Sequence, residues 1–460
     1  MKNITKLIVR IAMLVLATAL LMIATGCKNN TANSGELPDD YIPDVSGKIN
    51  VTCRADVYSN ESTRKAVRSW VSAFMNKYPD TQVEINFNVS DYTALISSKS
   101  IGDVFFLTDA DTYKYAVTNQ ALMALDYYIE LFNINTDDVY SGINELCKVN
   151  GRTYFTGMCC GNVTFAYNVD AMVEAGLLET NERIPNDWTW DDFKVYAEAL
   201  KTYDDDGVTL TQVGAIMPLY WSNIFSPFLY AYGGEWYNTE EKKVTFFNEG
   251  VIKGIGEVIN AIDNRWICPT GVSMSSEMRS EFAKISDTQG SVFNFISAYT
   301  VLQDRVATWN ANGVTWDVCP FPLFEYAASP CGTLGFGVFS YTNNPDAAAA
   351  LVLTLYTEEG QIALHGQEGG DIPVLKKLGE QDFWHLTGEQ YEGINFSAFT
   401  ANYDRYVAGQ VNGCVPQEVA TLIEEGMEDL YSSYCQSAAD WTYKLQELET
   451  QCNETWESLK

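Results

Sequence analysis

The alternation of apolar and polar residues near the start of the chain predicts strands and helices in strict succession. Residues 48–52 (KINVT) and 82–88 (QVEINFN) alternate with a period of two, which is typical of strands. Residues 61–78 carry apolar side chains at helical spacing, and residues 91–98 are predicted to form a short helix. The continuous apolar run 103–107 (DVFFL) indicates a buried central strand. This order predicts a parallel α/β layer.

The pattern continues beyond residue 150 with shorter elements and one unusual aromatic stretch. Residues 170–176 and 191–201 are predicted helices, and Thr189 is suited to be the N-cap of the second, with Asp192 three residues later. The stretch 219–237 (LYWSNIFSPFLYAYGGEWY) holds eight aromatic residues in nineteen positions. Its middle is predicted to contain a helix.

Size and charge narrow the class of protein. The chain has 460 residues, which exceeds one ordinary core and predicts two lobes. Its 47% hydrophobic and 19% charged residues are typical of a globular protein. A net charge of -31 repels phosphate backbones, so nucleic acid is excluded as a partner.

The N-terminus resembles a bacterial export signal. Three basic residues among the first ten precede an apolar run, 11–23, that is too short to span a bilayer as a mature helix. The following Ala-Thr-Gly-Cys sequence resembles a lipobox, which predicts a lipoprotein signal peptide over 1–27 and acylation of Cys27. A plain secretory signal with an incidental cysteine is the alternative. Polar residues 28–47 are predicted to be a flexible tether. The expected location is the outer face of the bacterial cytoplasmic membrane, through the lipid anchor.

Neither the spacing of the cysteines nor the acidic cluster matches a metal-binding motif. Ten cysteines follow Cys27, and an even number in an exported protein permits disulfides. The adjacent Cys159 and Cys160 are strongly disfavoured as a bonded pair, and no bridge is assigned. The triplet Asp204–Asp206 resembles part of a calcium loop but has no bidentate Glu at the right distance, so a solvated turn is expected. We therefore expect neither a metal nor a cofactor.

Several segments match one family in order and spacing. The segment DVFFL precedes LMALD, GRTYFTG precedes FAYN, and then come NDWTWD, GSVFNFI, WDVCPFP, GFGVF and VPQEV. This ordered set resembles the family-one extracellular solute-binding proteins, the maltose-binding-protein-like sugar-binding lipoproteins of ABC importers. The resemblance covers nearly all of residues 48–460.

That resemblance implies a two-lobed α/β fold of the periplasmic-binding-protein type, with three hinge crossings (type II). The crossings are expected near residues 161–163, 332–334 and 371–374. The first lobe is then 48–161 plus 333–371, and the second is 162–332 plus 372–460. The implied function is to bind an oligosaccharide between the lobes and deliver it to the ABC permease. The implied protein is a monomer without enzymatic activity.

A saccharide cleft needs flat aromatic surfaces for the C–H face of a sugar and carboxylates or amides for its hydroxyl groups. In such α/β sheets, ligands collect at the carboxyl ends of strands. The candidates are Tyr58, Ser59, Asp109 and Asp111 after first-lobe strands; Tyr220, Trp221, Asn223 and Trp236 in the aromatic stretch; Asn294, Ser297 and Tyr299 near the GSVFNFI segment; and Asp371 at the third crossing. Each has a plain alternative as a core, capping or surface residue. The family's aromatic pair after the VPQEV-like segment is replaced here by Thr421 and Leu422, which weighs against a maltodextrin-type site.

Two other functions stay open. The first is a binding protein for a peptide, a polyamine or a metal complex. The second is an exported carbohydrate-active enzyme. His365 and His385 are the two histidines of the chain, which argues against a His-rich metal site and a Ser-His-Asp triad.

Overall fold

The structure is a computed structural model that describes residues 41–286, 289–296, 299–326, 329–367, 371–403 and 407–459. The signal peptide, Cys27 and most of the tether lie outside these residues, as does Ser297. Residues 43–460 form one compact unit. Across the described ranges, no helix has the length and apolar character needed to cross a membrane.

The strands of the described residues, in chain order, are β1 (Gly47–Arg54), β2 (Thr81–Val89), β3 (Val104–Thr108), β4 (Lys148–Val149), β5 (Arg152–Thr153), β6 (Phe155–Gly157), β7 (Gly161–Asn162), β8 (Thr164–Asn168), β9 (Thr202–Tyr203), β10 (Leu210–Pro218), β11 (Tyr237–Asn238), β12 (Lys243–Val244), β13 (Ile267–Thr270), β14 (Ser291–Ile296), β15 (Trp316–Pro320), β16 (Ser329–Gly332), β17 (Leu334–Val338) and β18 (Val407–Ala408).

The α-helices are α1 (Glu61–Lys77), α2 (Thr93–Ser97), α3 (Asp126–Leu131), α4 (Ser141–Leu146), α5 (Val169–Glu174), α6 (Trp190–Leu200), α7 (Ser222–Tyr230), α8 (Glu249–Asp263), α9 (Ser276–Glu281), α10 (Tyr299–Ala311), α11 (Pro345–Leu353), α12 (Glu358–His365), α13 (Lys376–Gly379), α14 (Gln417–Ser437) and α15 (Trp441–Ser458). Two short 3-10 turns, Asp109–Asp111 and Val411–Gly413, matter for the site described below.

The predicted elements of the first lobe are confirmed. The strands predicted at 48–52, 82–88 and 103–107 are β1, β2 and β3, and the helix predicted at 61–78 is α1. All residues of β3 except the last are buried, as its unbroken apolar run predicts for a central strand. The capping box is also confirmed, because the Thr189 hydroxyl oxygen accepts from the Asp192 backbone N–H at the start of α6.

The first lobe contains a five-stranded sheet in the order β2-β1-β3-β17-β6. Strands β2, β1 and β3 run parallel, whereas β17 runs antiparallel to both β3 and β6. Trp70 of α1 is buried in this lobe, where its Nε1 donates to Thr354 Oγ1 at 2.8 Å. The parallel strands end together at Arg54 and Thr108, and this edge is the first place where a ligand is expected.

The second lobe contains a six-stranded sheet in the order β13-β10-β14-β8-β15, with β9 paired to β10. Strands β13, β10 and β14 run parallel, and β8 runs antiparallel to β14 and β15. The core here is rich in rings, such as Trp188 stacked on Phe293 with ring centroids 5.3 Å apart. The carboxyl ends of its parallel strands form the second candidate edge.

A small hinge sheet, β18-β16-β7, lies where the chain passes between the two larger sheets. The first pass connects β6 to β8 through β7, and the second connects β15 to β17 through β16. These passes pair directly, with Cys331 opposite Asn162 and Gly332 opposite Gly161. The third pass, near residues 371–374, contacts the first pass, because Cys160 N donates to Ile372 O at 2.9 Å. The fold is therefore two-lobed with three crossings. The exact lobe boundaries stay predictions.

Candidate functional site

The edge of the first-lobe sheet carries a compact group of charged side chains. Arg54, the last residue of β1, donates from Nη2 to Asp56 Oδ2 at 2.6 Å. Its Nη1 lies 3.8 Å from Asp111 Oδ2. The Arg54 guanidinium lowers the pKa of Asp56 mainly through this hydrogen bond. The edge thus offers both hydrogen-bond donors and acceptors, with one guanidinium between two carboxylates.

Asp109 and Asp111 share one 3-10 turn but face different surroundings. Asp111 Oδ2 accepts from the backbone N–H of Thr108 at 3.2 Å and stays beside Arg54 at the sheet edge. Asp109 is buried, and its carboxylate accepts from Thr333 N at 3.1 Å and Gln410 N at 3.4 Å. Burial raises the pKa of Asp109 to about 6. Asp109 therefore lies buried at the hinge, and its role as a ligand contact stays a prediction.

The edge of the second-lobe sheet presents two aromatic residues directly after β10. Tyr220 is 52% exposed, and its ring lies over Gly271, where an added Cβ would collide with the ring. Gly271 has φ +74, a left-handed conformation that favours glycine. Trp221 is partly buried and is the N-cap residue of α7. Both rings therefore retain accessible surface at the edge where a ligand is expected.

The remainder of the aromatic stretch is core. Residues Ser222–Leu229 of α7 are all buried, including the rings of Phe225 and Phe228. Trp236, however, was predicted as a ligand candidate, and it is 1% exposed. Its indole stacks on Phe246 with ring centroids 5.9 Å apart, so Trp236 is enclosed by the β11–β12 hairpin region. An aromatic residue whose faces are already covered cannot serve as a sugar platform.

Three further candidates are also enclosed. Tyr58 is 2% exposed and packs edge-on against Phe106 at 5.2 Å. Asn294 is buried in β14, where its Nδ2 donates to Ser291 O at 3.2 Å. Asn223 is buried in α7, and its Oδ1 has no hydrogen-bond partner among the described residues. Tyr58 and Asn294 are core residues here, whereas Asn223 keeps an acceptor free for water or another donor.

The remaining candidates lie near the strand ends or at the third crossing. Ser59 is exposed after β1, and Tyr299 is the first residue of α10. Asp371 N donates to His365 Nδ1 at 2.9 Å, and burial raises the pKa of Asp371 to about 6. His365 is buried, and its Nε2 donates to Met158 O at 2.7 Å. Asp371 is therefore part of the hinge hydrogen-bond network.

Sequence reasoning missed one acidic group near Trp221. Glu424 of α14 is partly buried beside Ser222, the first residue of α7. Burial raises the pKa of Glu424. No local pattern marks Glu424, because a Glu in a long polar helix is normally a surface residue. The fold brings it to the aromatic edge.

A separate cavity of about 210 Å³ lies at the other end of α7. Tyr230, the last residue of α7, lines it together with Tyr237, Lys148 and Asp109. Since α7 has nine residues, this cavity is roughly 13 Å from Trp221 along the helix axis. A hydrogen bond between Thr239 and Asn150 joins the two predicted lobes nearby. The cavity is therefore lined by residues of both predicted lobes, and Asp109 places it beside the carboxyl end of β3.

Comparison with protein families identifies the class of protein. The model of bacterial extracellular solute-binding proteins matches residues 59–362, well over half of the chain. The chain therefore belongs to this family, and its extracytoplasmic location follows from the family.

Solved structures with the same fold include three that cover most of the chain. The sugar-binding protein MalE from Xanthomonas citri has a TM-score of 0.67 at 16% identity, over 89% of this chain and 98% of its own. The substrate-binding protein Lmo0181 from Listeria monocytogenes, solved with cycloalternan, has a TM-score of 0.61 at 17% identity, over 90% and 99%. UgpB from Mycobacterium tuberculosis, solved with glycerophosphocholine, has a TM-score of 0.58 at 17% identity, over 90% and 99%. At these identities the likeness establishes the fold.

A short match to a curated protein carries no functional argument. It is 29% identical over 66 residues to the large ribosomal subunit protein uL15 from Beijerinckia indica, and covers 14% of this chain. The chain spans 39% of the length of that protein.

Proposed function

We propose that this protein is the substrate-binding lipoprotein of an ABC importer and holds an uncharged carbohydrate between its two sheet edges. One observation carries the proposal. In the second lobe, the accessible rings of Tyr220 and Trp221 follow the parallel strand β10. In the first lobe, Arg54, Asp56 and Asp111 lie at the ends of parallel strands. Rings beside fixed donors and acceptors are the two chemistries that a sugar needs.

The charges favour a neutral ligand over an anion. Arg54 is already shared between Asp56 and Asp111, so a phosphate or carboxylate would have to displace one of them. Glu424 adds a further acceptor near the aromatic edge. A ligand rich in hydroxyl donors satisfies these acceptors without requiring a new cation.

The printed ligands of the fold relatives support this proposal and keep one alternative open. MalE is described as sugar-binding and Lmo0181 was solved with cycloalternan, whereas UgpB was solved with glycerophosphocholine. A non-sugar solute is therefore the second candidate, including the peptide, polyamine and metal-complex classes. Catalysis is the least supported role, because solute-binding is what defines the family.

Ligand binding would act through the hinge. A ligand that contacts both edges at once stabilises the closed arrangement, and only that difference in affinity shifts the population. The lobes proposed for this motion are 48–161 plus 333–371 and 162–332 plus 372–460. The closed monomer would then dock on the transmembrane subunits of the permease.

Anchoring to the membrane is part of the proposal. Removal of residues 1–26 would leave Cys27 at the N-terminus, where its acyl chains would insert into the outer face of the cytoplasmic membrane. The polar tether ending at residue 47 would join it to β1. The fifteen residues between Cys27 and Pro43 can reach roughly 50 Å when extended, enough for the body to reorient at the surface.

A thermal-shift screen of oligosaccharides, polyamines and glycerophosphodiesters tests this assignment. We expect stabilisation by one or more neutral saccharides, confirmed by titration calorimetry, and a more compact scattering profile with the ligand bound. Stabilisation by polyamines or phosphodiesters alone would favour the second candidate. Release of product from the bound saccharide would establish an enzyme instead.

A further inference from the structure

Three segments of the chain converge on the buried carboxyl group of Asp109. The first is its own turn at the carboxyl end of β3. The second is the hinge pass, where Thr333 N donates to Oδ1 at 3.1 Å. The third is the loop 409–413, where Gln410 N donates to Oδ2 at 3.4 Å. In the described part of the chain, its hydrogen-bond donors are thus backbone N–H groups rather than a cation.

Glycines allow the loop and the hinge to cover this carboxyl group. A Cβ added at Gly332 would lie 3.0 Å from Asp109 Oδ1, and one at Gly409 would lie 3.1 Å from Oδ2. A Cβ at Gly413 would lie 2.5 Å from the Asp109 carbonyl oxygen. The Gly413 contact is closer than a Cβ atom tolerates and the other two are tighter than ordinary contacts, so the three glycines permit this close approach to Asp109, which still borders the cavity beside Tyr230.

The covering loop is also bound to the second lobe. Ser226 of α7 donates from Oγ to Gly409 O at 3.2 Å, and the loop leads directly into α14. Asp109 belongs to the first-lobe sheet through β3. A rotation of the lobes about the hinge would therefore move the loop relative to Asp109 and open the carboxyl group further to water.

We propose that Asp109 is a positioning residue that fastens the loop 409–413 to the first lobe, and that moving the lobe off this loop is coupled to proton release. The proposal rests on the hinge motion of the proposed function. A covered carboxyl group without a cation prefers its neutral form, whereas an uncovered one returns to its ordinary ionised form. Acid therefore favours the covered arrangement.

Neighbouring groups do not supply the missing charge. On its own turn, the charged neighbour of Asp109 is Asp111, which lies beside Arg54. Across the cavity, Glu145 and Lys148 form an ion pair with each other at 2.6 Å. The other titratable neighbours are the thiols of Cys147, Cys331 and Cys414 and the phenols of Tyr230 and Tyr237. Burial raises the pKa of Cys147 and Cys414 to about 12, so both thiols stay neutral.

The direction and size of the effect follow from linkage. The pKa of Asp109 rises from 3.8 to about 6 on being covered, so the covered form binds the proton more tightly. Between about pH 7.5 and about pH 5, the ratio of covered to uncovered molecules should rise by about tenfold. Two other groups titrate at the third crossing: burial raises the pKa of Asp371 to about 6 and lowers that of His365 to about 4. Their contribution to the pH dependence must be distinguished from that of Asp109.

Hydrogen exchange of the unliganded full chain tests the proposal without a ligand, so its failure is distinguishable from failure of the proposed function. After correction for intrinsic rates, we expect peptides within 407–415 to exchange about tenfold more slowly at about pH 5 than at about pH 7.5. Asp109→Asn should remove this pH dependence. Asp111→Asn, on the same turn and beside Arg54, should retain it.

A second variant keeps the test informative if Asp109→Asn does not fold. Gln410 has φ -70, which proline adopts, so Gln410→Pro removes the N–H donor without forcing the backbone. Losing a donor to the ionised form should move the midpoint of the exchange profile to higher pH. The proposal is overturned if Asp109→Asn keeps the wild-type pH dependence, if wild-type exchange in 407–415 is unaffected by acid, or if Gln410→Pro leaves the midpoint unchanged.

Discussion

Replacement of Tyr220 by alanine is the most direct test of the aromatic edge. Tyr220 is 52% exposed and its ring is supported from below by Gly271. A tyrosine side chain has roughly 200 Å² of surface, so about 100 Å² is accessible, and a sugar that stacks on one face covers about 50 Å² of it. At about 25 cal/mol per Å², Tyr220→Ala should cost ~1.3 kcal/mol of binding free energy, or about a tenfold higher Kd.

The assay is titration calorimetry with the strongest saccharide found by the thermal-shift screen. Tyr326→Ala is the matched control, because Tyr326 is 56% exposed but lies by a different surface cavity of the second lobe. Tyr326→Ala should leave Kd within about twofold of the wild type, since a surface side chain away from the ligand contributes little.

Gly271→Ala tests the same Tyr220 ring by displacing it and not by removing it. The added Cβ would collide with the Tyr220 ring and would also strain a residue at φ +74. We expect weaker saccharide binding together with a stability loss of about 1 kcal/mol from the backbone. The reasoning is refuted if Tyr220→Ala binds the saccharide as tightly as the wild type, or if Tyr326→Ala weakens binding equally.

Three further predictions concern pH, folding and anchoring. Burial lowers the pKa of His365 from 6.5 to about 4, so this residue stabilises the fold above pH 6.5 and that stability is lost as pH falls towards 4. The difference in unfolding free energy between wild type and His365→Gln should change by ~3 kcal/mol across this range, measured by urea denaturation. Gly335→Ala would press a Cβ into the Thr156 carbonyl between β17 and β6, and should lower the thermal midpoint by several degrees in calorimetry. Cys27→Ser should abolish labelling by radioactive palmitate and release the protein from bacterial membranes; equal labelling of the variant would contradict the anchor.

The sequence predicted the first-lobe elements well because their periodicity is strong. In β2 the exposed positions alternate along the strand, and in α1 the buried residues include Val67, Trp70, Val71 and Phe74, which recur at helical spacing. Both patterns are set by burial of one face, which a single sequence records directly. The ordered family segments extended this to the two-lobed fold.

The individual site residues were harder to predict for a physical reason. An aromatic residue is equally suited to a core and to a sugar platform, and local sequence does not tell which of its faces will be covered. Trp236 is covered by Phe246, whereas Tyr220 is held over Gly271, which lies 51 positions further along the chain. Asp109 and Asp111 differ in the same way, because one short turn directs them to different partners.

The position of α7 accounts for part of the density of rings in 219–237, because two of the eight rings, Phe225 and Phe228, lie in its buried run. All residues from Ser222 to Leu229 are buried, so this helix needs apolar or compact side chains on every face. It packs beside the hinge loop through a hydrogen bond from Ser226, in the middle of the helix, to Gly409. Tyr220 and Trp221 precede the N-terminal end of the helix and are the part of the stretch that reaches the sheet edge. A ligand that contacts them therefore acts on a rigid element seated at the hinge, and this is the arrangement by which binding at the edge can move a lobe.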